Sequence, residues 1–441
     1  MDRIRSPLLL LFLLCLLLLA PGLFGLPARS FAEPGAAVDE SVPATVTLGE
    51  IIEYALKENP ALRASGVGVE AASQRVHQAR TLGDPVLTYS HGIDKIETRL
   101  GPANSSVTLM QKIPFPGKLS TKGSAAMVGV EIAKSERSSA ERTLVARVKR
   151  LYYELYYIDK TTTLARENKA VLDYFVEVSR SNYSLNVSKL DELVRAERLR
   201  AASSLTIIRL EEERVSALAR LRSALNIGLG QSLPFDLTRF ESLTVPQFGY
   251  SVAELSIKAS ADTTLKTLGH KLARARINEK SAKYAYMPDF HLGVKYTDIG
   301  ESPMAVTGSG RDALGVSVGV TLPIWRGGKR AGVAQARAER EQARLAVITA
   351  ATEIDSKVHR LYQSVQSAAE VAHLYGDTLV PRAKESYEFA EARYRNGQEK
   401  LGRLLETQSM WIDFRRVYFS AVRDFFIAVS ELERITGEEL L

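Results

Sequence analysis

The chain has 441 residues, 45% hydrophobic and 25% charged, with a formal net charge of +7. Acids and bases are interleaved along it, which describes a solvated helical surface and excludes a nucleic-acid footprint, where bases cluster. One cysteine and six histidines that stand singly (His77, His91, His270, His291, His359, His373), with no Walker loop, His-Glu-x-x-His or Gly-x-Ser-x-Gly, leave no metal, cofactor or catalytic residue to expect.

The first residues read as a secretory signal over 1–32. Arg3 and Arg5 form a basic start, Leu8 to Leu19 an apolar run, Pro21 breaks it, and Ser30-Phe31-Ala32 offers a small-residue cleavage site. The run is too short to span a bilayer, which takes about 20 apolar residues. Cys15 lies inside it and is expected to leave with it. No later segment approaches that length, so an exported chain of this kind is soluble, extracellular or held in a membrane by β-strands.

A first structural unit is expected over 33–228. Leu48, Ile51, Ile52, Ala55 and Leu56 form one helical face, Asn59-Pro60 interrupts it, and a second helix runs from Ala61 to about Leu82. Gly83, Asp84 and Pro85 end that helix. A strand pair over 86–113 follows, as Val86 to Ile93 and Ser106 to Ile113, separated by a polar loop with Gly101, Pro102 and Asn104. Pro114, Pro116 and Gly117 close it. Then about 60 residues, Thr121 to Ser181, carry no proline, a helix roughly 90 Å long. Leu144, Val148, Leu151, Leu155 and Ile158 mark its packing seam at spacings of three and four. The chain turns near Asn186 and returns from Lys189 to about Asn226.

A linker over 229–250 precedes a second unit, 251–441, that repeats the first. Leu62, Gly66, Ala72 and Pro85 match Leu265, Gly269, Ala275 and Pro288 at offset 203, and Pro114 matches Pro323 at 209. The seam returns as Ile354, Val358, Leu361 and Val365 at 210, and the turn residues Tyr183, Lys189, Leu190 and Leu193 return as Tyr394, Lys400, Leu401 and Leu404 at 211. Slips confined to loops mark a duplicated unit, with a second strand pair over 290–322 whose loop is longer by six and a second tip near 397. Pro381 should kink the second long helix, and the first unit has no counterpart.

In the second pair, Leu314, Val316, Val318, Val320 and Leu322 share one face against Gly315, Ser317, Gly319 and Thr321. Phe290, Leu292, Val294 and Tyr296 likewise oppose His291, Gly293, Lys295 and Thr297. Greasy on one side and small or polar on the other suits a wall between lipid and water. Four strands cannot close, since the smallest barrels take about eight, so other copies must supply the rest. A soluble hairpin capping a coiled coil stands as the other reading.

Together these residues resemble the TolC-like outer-membrane efflux family. The resemblance is carried by the signal, the Asn59-Pro60 break, the Pro-Phe-Pro-Gly-Lys run from Pro114 to Lys118, Leu322-Pro323-Ile324-Trp325 with Gly327, Gly328 and Lys329, and Tyr394-x-x-Gly397 before Leu401. It covers essentially the whole chain after the signal, and the Pro-Phe-Pro-Gly-Lys run leans to the heavy-metal efflux branch. The resemblance implies a mostly helical α+β fold in two tandem repeats: a periplasmic α-barrel of long antiparallel helices on a shared 12-stranded trimeric β-barrel in the outer membrane. It implies a homotrimer in outer-membrane lipid, with a periplasmic adaptor and an inner-membrane transporter of the resistance-nodulation-division type as partners. The function implied is the exit duct of a tripartite pump, a passive channel. A type I protein-secretion duct and a soluble periplasmic coiled-coil scaffold are the alternatives.

By the same resemblance, Asn186, Leu190 and Leu193 at the first tip and Gly397, Leu401 and Leu404 at the second are adaptor-docking residues. Asn186 stands where glycine is more usual. A plain helix C-cap is the competing reading of both turns. Glu192, Tyr394, Glu399, Arg403 and Glu406 map to the periplasmic gate. Arg403 replaces the usual acid and Glu399 the usual base, so a rewired lock is expected in which Arg403 or Lys400 pairs with Glu192 or Glu399. Ordinary exposed helix charges are the alternative.

Overall fold

The computed structural model describes residues 47–441 apart from 186–189, 229, 238–239, 241 and 305–306. The signal segment and Asn186 lie outside the described residues. Each half of the chain opens in the same way. Thr47 Oγ1 accepts the Glu50 amide while Glu50 accepts the Thr47 amide, a capping box that starts α1 (Leu48–Glu58). Asn59 then caps α2 (Pro60–Arg80), accepting the Ala61 and Leu62 amides, and its Nδ2 donates to the Ala224 carbonyl at 2.9 Å. The interruption at Asn59-Pro60 is therefore a helix start tied to a distant helix end.

Strand β1 (Val86–Thr98) and strand β2 (Gly101–Ile113) follow. Both are longer than expected: Gly101, Pro102 and Asn104 belong to β2, and only Arg99 and Leu100 lie between the strands. Irregular register between His91 and Ile96, and between Ala103 and Ser105, lets the pairing run on through a stretch whose composition suggests a loop. Gly101 has φ +133°, and a Cβ there would meet the Gly300 carbonyl oxygen at 1.7 Å, so no other residue fits.

Helix α3 (Lys118–Ser184) is 67 residues, about 100 Å of helix. It is answered by α4 (Leu190–Leu225), which ends at Asn226 in the left-handed region (φ +59°), with the Ile227 amide donating back to the Arg222 carbonyl. The second half runs α5 (Val252–Ala259), α6 (Thr263–Lys283), β3 (Phe290–Ile299), β4 (Ala313–Val320), α7 (Arg326–His373), α8 (Val380–Arg395) and α9 (Leu401–Thr436). Ser251 and Glu254 repeat the capping box, and Asp262 repeats Asn59 as the cap of α6. Between α7 and α8, residues Leu374–Leu379 form a π turn. Pro381 has no N–H for the Asp377 carbonyl, and the regular ladder gives way just ahead of it, where the kink was expected.

The four strands form one antiparallel sheet in the order β1-β2-β3-β4. Helices mounted on the strands keep the same order: α2 packs on α3, α3 on α6, and α6 on α7. Further along, α4, α3, α9 and α7 pack side by side. The main core lies here. Val148, Leu221, Val358 and Phe425, one from each of four helices, are fully buried in it. Tyr153 stacks on Phe426 at 4.9 Å. Burial, opposed by a backbone hydrogen bond at Leu243, pushes the Tyr156 hydroxyl up to about 12. The connector after α4 is more than a tether. Phe240 is buried against Tyr152 at 5.2 Å, and Phe235 meets Tyr54 edge-on at 5.4 Å.

Candidate functional site: the sheet faces and the helical tips

Register decides which side chains share a face of the sheet. Leu109 pairs with Leu87 on one side and Val294 on the other, and Val294 pairs with Val316. Tyr89, Val107, Tyr296 and Leu314 form the next row across, and Leu292 with Val318 extend the patch. This apolar face is exposed throughout its outer strand, Val316 by 80%. The opposite face carries Thr88, Ser90, Ser106, Thr108, Gly293, Lys295, Gly315, Ser317 and Gly319, with Val86 and Met110 as its apolar exceptions beside Gly293. An apolar surface of this extent has no place in water and is matched by the hydrocarbon of a bilayer. Among the described residues no helix is long and apolar enough to cross a membrane.

The sheet is fastened to the helices at an elbow. Gly117 has φ +100°, and a Cβ there would strike the Tyr284 ring at 2.7–3.0 Å, which explains a glycine between Pro116 and Lys118. Just before β3, Asp289 accepts from Lys118 at 2.6 Å and from the Phe115 amide at 3.0 Å, and pairs with Lys112 at 3.2 Å. Burial alone would raise its carboxyl, but the Lys118, Phe115 and Lys112 hydrogen bonds and the Lys118 charge hold it down at about 2.

At the far end the tip is built on a small second core. Leu172 and Phe175 of α3 meet Ala390 of α8 and Leu401, Leu404 and Leu405 of α9. Gly397 turns the chain with φ +67°. Its amide donates to the Tyr394 carbonyl at 3.0 Å and that of Gln398 to the Arg393 carbonyl at 2.9 Å, a Schellman cap. Leu401 and Leu404 are only 2% and 0% exposed and pack beneath the turn. Leu190 and Gly397 are exposed, and Leu193 is half-buried.

Of the expected gate residues, Glu192 lies near enough to Tyr394, from the other half of the chain, for its charge to act on the hydroxyl. Burial first, then the Glu192 charge and Tyr174, push the Tyr394 hydroxyl up, and its ring meets Phe175 edge-on at 6.1 Å. Within one chain the charged residues expected at the lock pair locally. Arg403 pairs with Glu406 one turn on at 3.2 Å, and Glu399 pairs with Arg393 at 3.7 Å. The reason is local: a helical base reaches the acid one turn away, and the Schellman cap folds Glu399 back over the end of α8. Two further links had no sequence signal beyond ordinary helix charges. Arg180 of α3 reaches Glu197 of α4 at 3.3 Å, and Arg195 lies against Gly402.

A sheet greasy on one face and polar on the other, carried on helices too long for a globular core, is the build of an outer-membrane channel subunit. The chain belongs to the outer membrane efflux protein family, whose model matches residues 51–227 and 259–438. It is an efflux protein of the outer membrane with a large helical part in the periplasm, and its family is one of channels. It is 23% identical to the pyoverdine export outer membrane protein OpmQ of Pseudomonas putida over 410 residues, 87% of this chain and 85% of that one. Its fold matches the outer-membrane channel OprN with a TM-score of 0.75 at 16% identity, over 88% of this chain and 89% of that one. It matches VceC of Vibrio cholerae with a TM-score of 0.73 at 17% identity, over 89% and 97%.

Proposed function

We propose that this chain is the exit duct of a tripartite efflux pump, three copies closing one twelve-stranded barrel from four strands each. The long helices carry the tunnel across the periplasm, the tips dock on a periplasmic adaptor, and an inner-membrane transporter of the resistance-nodulation-division type drives the cargo. The observation that supports this best is the sheet: its two faces are divided between apolar and small or polar residues, and both its edges are open. Open edges are not tolerated in lipid. A soluble periplasmic scaffold leaves that exposed apolar face without a role. Detergent-extracted protein should size as a trimer and conduct in planar bilayers. A monomer, or a trimer that does not conduct, would sink the duct.

At the tips, Leu190, Leu193 and Gly397 are the docking surface, supported from beneath by Leu401 and Leu404. Glu192 and Tyr394 form the gate's link between the two hairpins. Channels carrying Glu192→Gln or Tyr394→Phe should show raised closed-state conductance. Conductance equal to the parent in both variants removes the gate assignment and leaves the duct standing.

A further inference from the structure

The small and polar face of the sheet carries charge of one sign. Through the regular strands it holds Lys112, His291 and Lys295 among residues that are mostly serine, threonine and glycine, and no carboxylate. Lys295 lies in the middle of β3, exposed, with Thr108 beside it on β2 and Gly315 on β4. Gly293 and Thr297, its neighbours along the strand on the same face, are uncharged as well. Nothing acidic flanks its ammonium on this face. Lys112 stands otherwise. It shares Asp289 with Lys118, at 3.2 and 2.6 Å, so the elbow sets two ammonium groups against one carboxylate and keeps a surplus positive charge.

The carboxylates at the loop end of the sheet do not offset Lys295. Asp298 falls on the apolar face with Tyr296, whose hydroxyl donates to Asp312. Around them Asp94, Glu97 and Glu301 stand against Lys95, Arg99 and Arg311. We propose that the barrel favours anionic cargo and that Lys295 sets the preference. This rests on the three-copy barrel of the proposed duct, in which the polar face of each copy turns to the pore.

Three copies bring three Lys295 ammonium groups to one height in the pore. Strands about 4.8 Å apart and tilted by about 35–45° give twelve of them a backbone radius of about 12 Å. Each ammonium, carried inward on a flexible four-carbon stem, then stands within a Debye length of the axis, ~8 Å at physiological salt. The three fields therefore overlap across the whole opening. Rings of lysine or arginine mark anion pores as rings of acid mark cation pores. The cargo that fits is a molecule bearing carboxylate, sulfonate or phosphate groups. It is drawn in by the ring and free to leave, because a lysine offers a point charge and no bidentate fork.

A reporter cysteine reads the field at this level alone, whatever the tips contribute to conductance. Cys15 is the only cysteine of the chain. In a Cys15→Ser background, Ser317→Cys puts a thiol on the same face about 7–8 Å from Lys295, on the diagonal across β3 and β4. Whole cells are treated with sulfonatoethyl or trimethylammonioethyl methanethiosulfonate at low salt, and modification is read by mass on the purified chain. The ratio of the anionic to the cationic rate, divided by the same ratio for free cysteine, should be about five. That is the preference one unit charge at this distance gives in water when it attracts one reagent and repels the other. Lys295→Gln should bring the ratio close to one and Lys295→Glu should invert it, with salt of about 1 M flattening all three. A normalised ratio at or below one in the parent reporter, or one that Lys295→Glu leaves unchanged, overturns the preference and spares the duct. A reporter that reacts with neither reagent shows that this face does not line water, and removes the barrel and the preference together.

Discussion

The helical body and the sheet solve the same problem in opposite directions. In the body, Val148, Leu221, Val358 and Phe425 turn inward and are fully buried within one chain. In the sheet, Leu314, Val316 and Val318 turn outward, with nothing of the chain over them. The body's core residues are covered by its own helices, while those of the sheet's apolar face are left uncovered by the chain and both sheet edges are open. On the proposed duct, the core of the body is stabilised within the chain, whereas the sheet draws its stability from chain, lipid and neighbouring copies together.

The contrast is broken most severely on the lipid face. Val316→Arg puts a charge where hydrocarbon should be, costing about 2–4 kcal/mol per copy near the bilayer midplane. Ser317→Arg, one residue on, faces the other way. The first should nearly abolish protein in the outer-membrane fraction and the second should leave it close to the parent. Equal yields would mean that the two faces are misassigned.

In the body, Phe425→Ala opens a cavity among Phe426, Phe248 and the helices around them and should cost about 3–5 kcal/mol. Urea unfolding followed by helical circular dichroism reads this directly. The same variant should still reach the membrane, because the sheet does not depend on that core. Membrane insertion lost in step with helical stability would show that the two regions fold as one.

The elbow where the regions meet gives a smaller effect with a pH signature. The Asp289 carboxyl has its folded value near 2, below its ordinary 3.8, so its contribution is full above about pH 4 and is lost as pH falls through 2. Asp289→Asn should cost about 2 kcal/mol at neutral pH, with the difference from the parent closing in strong acid. A penalty that stays constant to pH 2 would refute the ion-pair account.

The smallest effect belongs to the tip surface. Arg403 and Glu406 are both exposed, and Arg403→Ala should change helix stability by less than about 1 kcal/mol. A loss several times larger would mean that Arg403 is paired with another copy in the assembled channel.

Much of this architecture can be read from local chemistry. Thr47 with Glu50, Ser251 with Glu254 and the caps Asn59 and Asp262 act through amides within three residues, so these four helix starts rest on neighbours in sequence. The stripe from Val148 to Ile158 and its return at Val358 and Val365 follow from helical period, and Leu314 to Val320 from strand period. The rest depended on partners far along the chain. Gly101, Pro102 and Asn104 look like a loop until β1 pairs on through Thr98, the bulges absorb the misfit and the distant Gly300 amide donates to the Pro102 carbonyl. Leu401 and Leu404 look like a surface stripe until Leu172 and Phe175 arrive from the other half and bury them. Arg403 and Glu399 found acids and bases nearer than those expected, because side-chain reach is settled in space. Period and capping are short-range and survive in sequence, whereas burial and ion pairing are sums over neighbours that only the folded chain assembles.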